Sequence, residues 1–169
     1  MSIRLLPLAL CAVLAAGCSP KTQSTDESEV SAAAPEPLTA AHVANLIAAD
    51  GAAHTLAVFT GPADTTGFDQ VAAGIATGDP AWLGVAQSFQ PEGDGWFGEG
   101  LAEALYQALS KNAPGALAVL QATGGASELT CQSGTDNAAA IAAITAVTDP
   151  ALADVKAECL GYMSGPVEG

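Results

Sequence analysis

Basic residues are the scarcest feature of this 169-residue chain, with four Lys and Arg against 18 Asp and Glu and a formal net charge of −14 at pH 7. No cationic patch is available to meet phosphates, which excludes nucleic acid as a partner. Aromatics make up 5% of the residues. Such a chain lacks the Val, Ile, Thr and aromatic content that a β-sandwich wants. Histidine is confined to His42 and His54, and neither sits in an H-E-x-x-H or comparable metal-binding spacing. No G-x-S-x-G elbow makes a nucleophile of Ser127, Ser133 or Ser164. Glu99 and Glu103 lie one helical turn apart, but the Glu-x-x-His partners of a helical di-metal site are missing. The loop around Asp94 lacks the ligand alternation of an EF-hand. These absences leave no catalytic residue, no metal ligand and no cofactor to assign, and the two histidines and two glutamates read as solvated surface.

What the chain has is small apolar side chains. Half of the residues are hydrophobic, and many of these are Ala, the best helix former. An all-α fold is expected: about six to eight short antiparallel helices stacked in pairs, with one disulfide.

The first residues have the form of an export signal. Arg4 supplies a positive charge, and Leu5 to Ala16 is an apolar run too short for a stable bilayer span. The run ends in Leu14-Ala15-Ala16-Gly17-Cys18. Those residues resemble the lipobox of bacterial lipoproteins, although Ala15 stands where Leu is commoner. The resemblance implies a signal peptide over 1–17 and a lipidated Cys18 as the mature N-terminus, carrying a diacylglyceryl thioether and an amide-linked acyl chain such as palmitate. More than one acyl chain gives lasting membrane attachment. Ser19, rather than Asp, after the cysteine implies the outer membrane, with the body on its periplasmic face.

Residues 18–37 read as a disordered tether, rich in Ser, Thr, Glu, Pro and Ala and without apolar periodicity. An all-α domain over 38–169 follows. Thr39 caps a first helix with Ala40, Val43, Leu46 and Ile47 inward, ended by Gly51. His54–Phe59 has strand-like residues but no second strand to pair with, so it reads as a short helix. A helix from Asp64 or Thr65 carries Phe68, Val71, Ala72 and Ile75 inward and closes at Gly78. Asp79-Pro80 opens the next one, lined by Trp82, Val85, Ala86 and Phe89 and stopped by Pro91.

The stretch from Asp94 to Gln121 is the expected centre. Phe97, Leu101, Ala104, Leu105, Ala108 and Leu109 share one helical stripe, and after Asn112-Ala113-Pro114 the residues Leu117 and Leu120 turn back onto it. Gly124–Gly134 is expected to be a loop holding Cys131. Asp136 or Asn137 opens an Ala-rich helix with Ile141, Ile144 and Val147 or Thr148 inward. Asp149-Pro150 opens a last helix with Leu152, Val155, Cys159 and Tyr162 on one face. The repeated Asp-Pro and Asn-x-Pro junctions make the pairing similar to HEAT-like helical stacks, a resemblance that implies no activity.

Setting aside Cys11 in the signal and Cys18 at the lipid leaves Cys131 and Cys159. Two thiols in an oxidising compartment are expected to pair, and their spacing excludes a C-x-x-C redox motif. Trp96 and Phe97, set among glycines, either tuck into the core or form the candidate contact surface for a partner, since aromatics dominate interaction hot spots. The expected function is a membrane-anchored lipoprotein acting as a non-enzymatic interaction module for an envelope protein. The alternative is an enzyme, or an enzyme inhibitor of the immunity type, whose site is assembled only in the fold. The first test is Cys18→Ser, which should release the protein from the membrane fraction or leave it unprocessed. Wild-type processing and fractionation of the variant would remove the lipoprotein reading.

Overall fold

The computed structural model describes residues 37–60, 66–92, 95–131 and 137–165. The expected signal peptide, Cys18 and the tether up to Glu36 lie outside the described residues, as do Asp64, Thr65, Asp94, Ser133 and Asp136. The described helices are α1 (Ala40–Asp50), α2 (Ala52–Phe59), α3 (Thr66–Ala76), α4 (Pro80–Phe89) and α5 (Gly95–Leu109). They continue with α6 (Ala113–Ala122), α7 (Glu128–Cys131), α8 (Ala138–Thr145) and α9 (Ala153–Ser164). No strand occurs among the described residues. Eight of these helices are the expected ones, His54–Phe59 included. The ninth, α7, is a single turn inside the stretch expected to be a loop. Ser127 Oγ accepts from the Thr130 backbone N–H at 3.2 Å and so starts that turn.

Local chemistry sets the junctions. Thr39 Oγ1 accepts from the His42 backbone N–H, and Asp79 Oδ1 accepts from those of Ala81 and Trp82. Asn112 Oδ1 accepts from Gly115 N, with Pro114 in the first turn of α6. Each oxygen satisfies an otherwise orphaned amide. Asp149 Oδ1 accepts from Ala151 N, but Pro150–Leu152 is a 3-10 turn and the α-helix begins only at Ala153. Asn137 stands at the start of α8 without capping it. Its Oδ1 instead accepts from the Tyr106 hydroxyl at 2.7 Å, tying α8 to α5.

The helix α5 is the centre of the fold. It packs against α3, α6, α7 and α8. Leu101, Leu105 and Leu109 are completely buried on it, and Ala104 and Ala108 lie between them with almost no exposure. Truncating one such Leu to Ala typically costs ~2–5 kcal/mol. Two corrections to the expected faces follow from packing. On α4, Leu83 is buried as well as Val85, Ala86 and Phe89, while Trp82 is half-buried. On α9, Tyr162 is 38% exposed and Met163 takes the inward place beyond Cys159. Positions three and four residues beyond a buried one both fit helical spacing, and here α7, α8 and the 3-10 turn beneath α9 select the latter.

Cys131 and Cys159 form a disulfide with a Cα–Cα distance of 5.3 Å and a sequence separation of 28. Both are fully buried, and the bond joins α7 to α9. Closing a loop of that length contributes roughly 3–4 kcal/mol in the chain-entropy model, a large share of a domain's ~5–15 kcal/mol. Mass spectrometry without reduction should therefore find no free thiol at Cys131 or Cys159 in protein purified in the absence of reductant. Cys159→Ser should lower stability by about 3 kcal/mol or more, since it also leaves a buried partner thiol. Unchanged denaturation of that variant would mean that the bond contributes nothing.

Candidate interaction groove

Glycine explains how α3 and α5 come so close. A Cβ added to Gly100 on α5 would lie 2.7 Å from Cε1 of Phe68 on α3. The ring therefore rests on helix backbone, at a position where Gly otherwise costs ~1 kcal/mol. Phe68 is 3% exposed. It meets Phe97 edge-on at 4.9 Å between ring centroids and Trp96 edge-on at 5.4 Å, and Trp96 stacks on Phe97 at 4.0 Å. Such pairs each contribute about 0.5–1.5 kcal/mol beyond area burial.

The two candidate contact residues are thereby separated in role. Phe97 is half-buried and packs on the core, whereas Trp96 is 50% exposed. Trp96 forms one end wall of an open groove of about 460 Å³ between α3 and α5. Its floor is Phe68, Ala72, Ala76, Gly100 and Ala104, and its rim carries Asp69, Glu103 and Gln107. All three rim side chains are exposed. Gln107 Nε2 donates to Glu103 Oε1 at 2.9 Å, which fixes one carboxylate along the rim. Beyond Ala76 and Gln107 the groove runs on into a smaller space of about 210 Å³ beside Tyr106, Lys111 and Ala140. From Trp96 to Lys111 the distance along the helix direction is about 22 Å at 1.5 Å per residue.

The remaining sequence candidates are scattered. His42 is exposed in the first turn of α1, and His54 is exposed on α2. Glu99 is exposed on α5, one turn before Glu103. No group of three or more His, Cys, Asp or Glu residues that could hold a metal occurs among the described residues. No buried side-chain nitrogen or oxygen lacks a hydrogen-bond partner among them either. Near the C-terminus, Lys156 lines another open groove, of about 370 Å³. Its Nζ donates to the Thr145 and Val147 carbonyls at 2.8 and 2.7 Å, so the charge is used to close the end of α8.

Periodicity alone does not expose the part played by Phe68, Asp69 and the α3 alanines. The one available signal is Gly100 in the middle of an otherwise apolar helical stripe. A helical Gly without a turn to make usually marks a close approach.

Comparison with known protein families, curated proteins and solved structures finds no match to this chain.

The aromatic geometry separates the two tryptophans by stability. Trp82 is half-buried, and a Cβ on Gly74 would run into its ring. Trp82→Ala should cost about 3 kcal/mol, the low end for a packed Trp. Trp96→Ala removes two ring pairs but little burial and should cost ~1–2 kcal/mol. Chemical denaturation of both variants checks the order, and a larger loss from Trp96→Ala would place Trp96 in the core instead.

Proposed function

We propose that this chain is a lipoprotein anchored through Cys18 in the outer membrane, with its all-α body on the periplasmic face as a non-enzymatic interaction module. The lipobox resemblance at Leu14–Cys18 supports the anchor and the location. The disulfide between Cys131 and Cys159 suits an oxidising compartment. The observation that carries the interaction reading is Trp96, half exposed at the head of an apolar-floored groove. A large, amphipathic ring held by its neighbours loses little entropy on contact and is the side chain most enriched at hot spots. The partner is an envelope protein. Signal cleavage removes Arg4 and leaves three basic residues against 18 acidic ones, so an anionic lipid surface repels the body.

Site-specific photocrosslinking in intact envelopes tests this reading. A benzophenone side chain in place of Trp96 should give a discrete adduct with one envelope protein. The same group in place of Asp154, exposed on α9, should not. No adduct from position 96, or the same adducts from both positions, would remove the interaction module.

A further inference from the structure

We infer that the groove between α3 and α5 takes a cationic, amphipathic segment of a partner protein, whose Arg or Lys side chains meet Trp96, Asp69 and Glu103 along the groove. The inference rests on the interaction-module reading and names the partner's chemistry. Two features of different kind meet at this place. The floor is apolar and shallow, built from Phe68, Ala72, Ala76, Gly100 and Ala104, so it admits aliphatic side chains from above. The rim carries two exposed carboxylates, one on each helix: Asp69 beside Phe68 on α3, and Glu103 on α5 two turns along from the exposed Trp96.

An exposed indole face attracts a guanidinium by stacking, and carboxylates along the same groove attract it by charge. The apolar stem of an Arg or Lys suits the alanine floor. Charge decides against the other occupants. A second copy of this chain would bring its own acidic rim, and an acidic peptide or anionic lipid would meet the same repulsion. Lys111 and Lys156 are the only basic side chains among the described residues. Lys156 is engaged with two carbonyls. Lys111 stands at the far, smaller end of the groove. The cationic part of the occupant therefore belongs at the Trp96 end. As a helix, about 15 residues of partner would span the groove from Trp96 to Lys111, in the helix-in-groove manner.

The test uses the full mature chain and a fluorescein-labelled amphipathic peptide of Leu and Arg, about 15 residues long. A second peptide carries citrulline, the neutral analogue, at every Arg. Fluorescence anisotropy should show saturable binding of the Arg peptide that weakens with added salt, and much weaker binding of the citrulline peptide. Trp96→Ala should weaken the Arg peptide about thirtyfold. Asp69→Asn with Glu103→Gln should weaken it about five- to tenfold and flatten the salt dependence. Asp50→Asn with Asp154→Asn removes the same charge from exposed sites elsewhere and should leave binding unchanged.

Equal binding of the two peptides, equal loss in the two double variants, or no saturable binding overturns the inference. So does binding of phosphatidylglycerol vesicles in place of the peptide, which would make the groove a lipid contact. A discrete crosslink from position 96 without peptide binding would remove the cationic partner alone and leave the interaction module standing.

Discussion

The contact between the Phe68 ring and the backbone at Gly100 is the constraint on which the rest of the structure depends. In a chain short of large side chains, cohesion has to come from close approach rather than from bulk, because dispersion falls steeply with small gaps. Phe68 fills the angle between α3 and α5, and no Cβ at position 100 holds the two helices apart. The same ring supports Phe97 and Trp96 from beneath. One residue is therefore both core and foundation of the groove. Gly74 under Trp82 and Gly67 beside Phe59 repeat the device on α3. Three aromatic rings thus sit where three glycines leave room.

A second tie works between turns rather than helices. Gly78 has a positive φ of 72° and ends the turn after α3. Asn112 Nδ2 donates to the Gly78 carbonyl at 2.8 Å while its Oδ1 caps α6. One side chain therefore joins the α3–α4 turn to the α5–α6 turn. A Cβ on Gly78 would press within 3.0 Å of the Asn112 Cβ, so both the backbone angle and the close approach require glycine there. This pairing ties the two sides of the groove at one end, as the Phe68 cluster does at the other.

Most of the helices were legible because their junctions are written in local chemistry. Thr39, Asp79-Pro80 and Asn112 each cap a helix where the sequence places one. The pairing of Cys131 with Cys159 followed from compartment and elimination. The misses have physical causes. The turn α7 is four residues long, too short to show a period, and is held by one Ser and a disulfide. Tyr162 and Met163 both satisfy helical spacing, and only the neighbouring elements choose between them. The groove was half legible: Trp96 stood out among glycines, but its opposite wall on α3 is a matter of which helices meet. Periodicity gives the inward face of a helix and is silent about its outward partner.

The disulfide also decides how the domain would bear a load. A chain held at its N-terminal side and gripped at the groove is stretched only between Pro37 and α5. The residues from Cys131 to Cys159 lie outside that path. Even if the ends of the domain were pulled apart, the bond would withhold those 28 intervals of chain, roughly 95 Å of contour at full extension. Force would reach α1 and α2 first, each held by only two buried side chains. Under tension the N-terminal helices would act as the yielding element, while the oxidised C-terminal third stays closed.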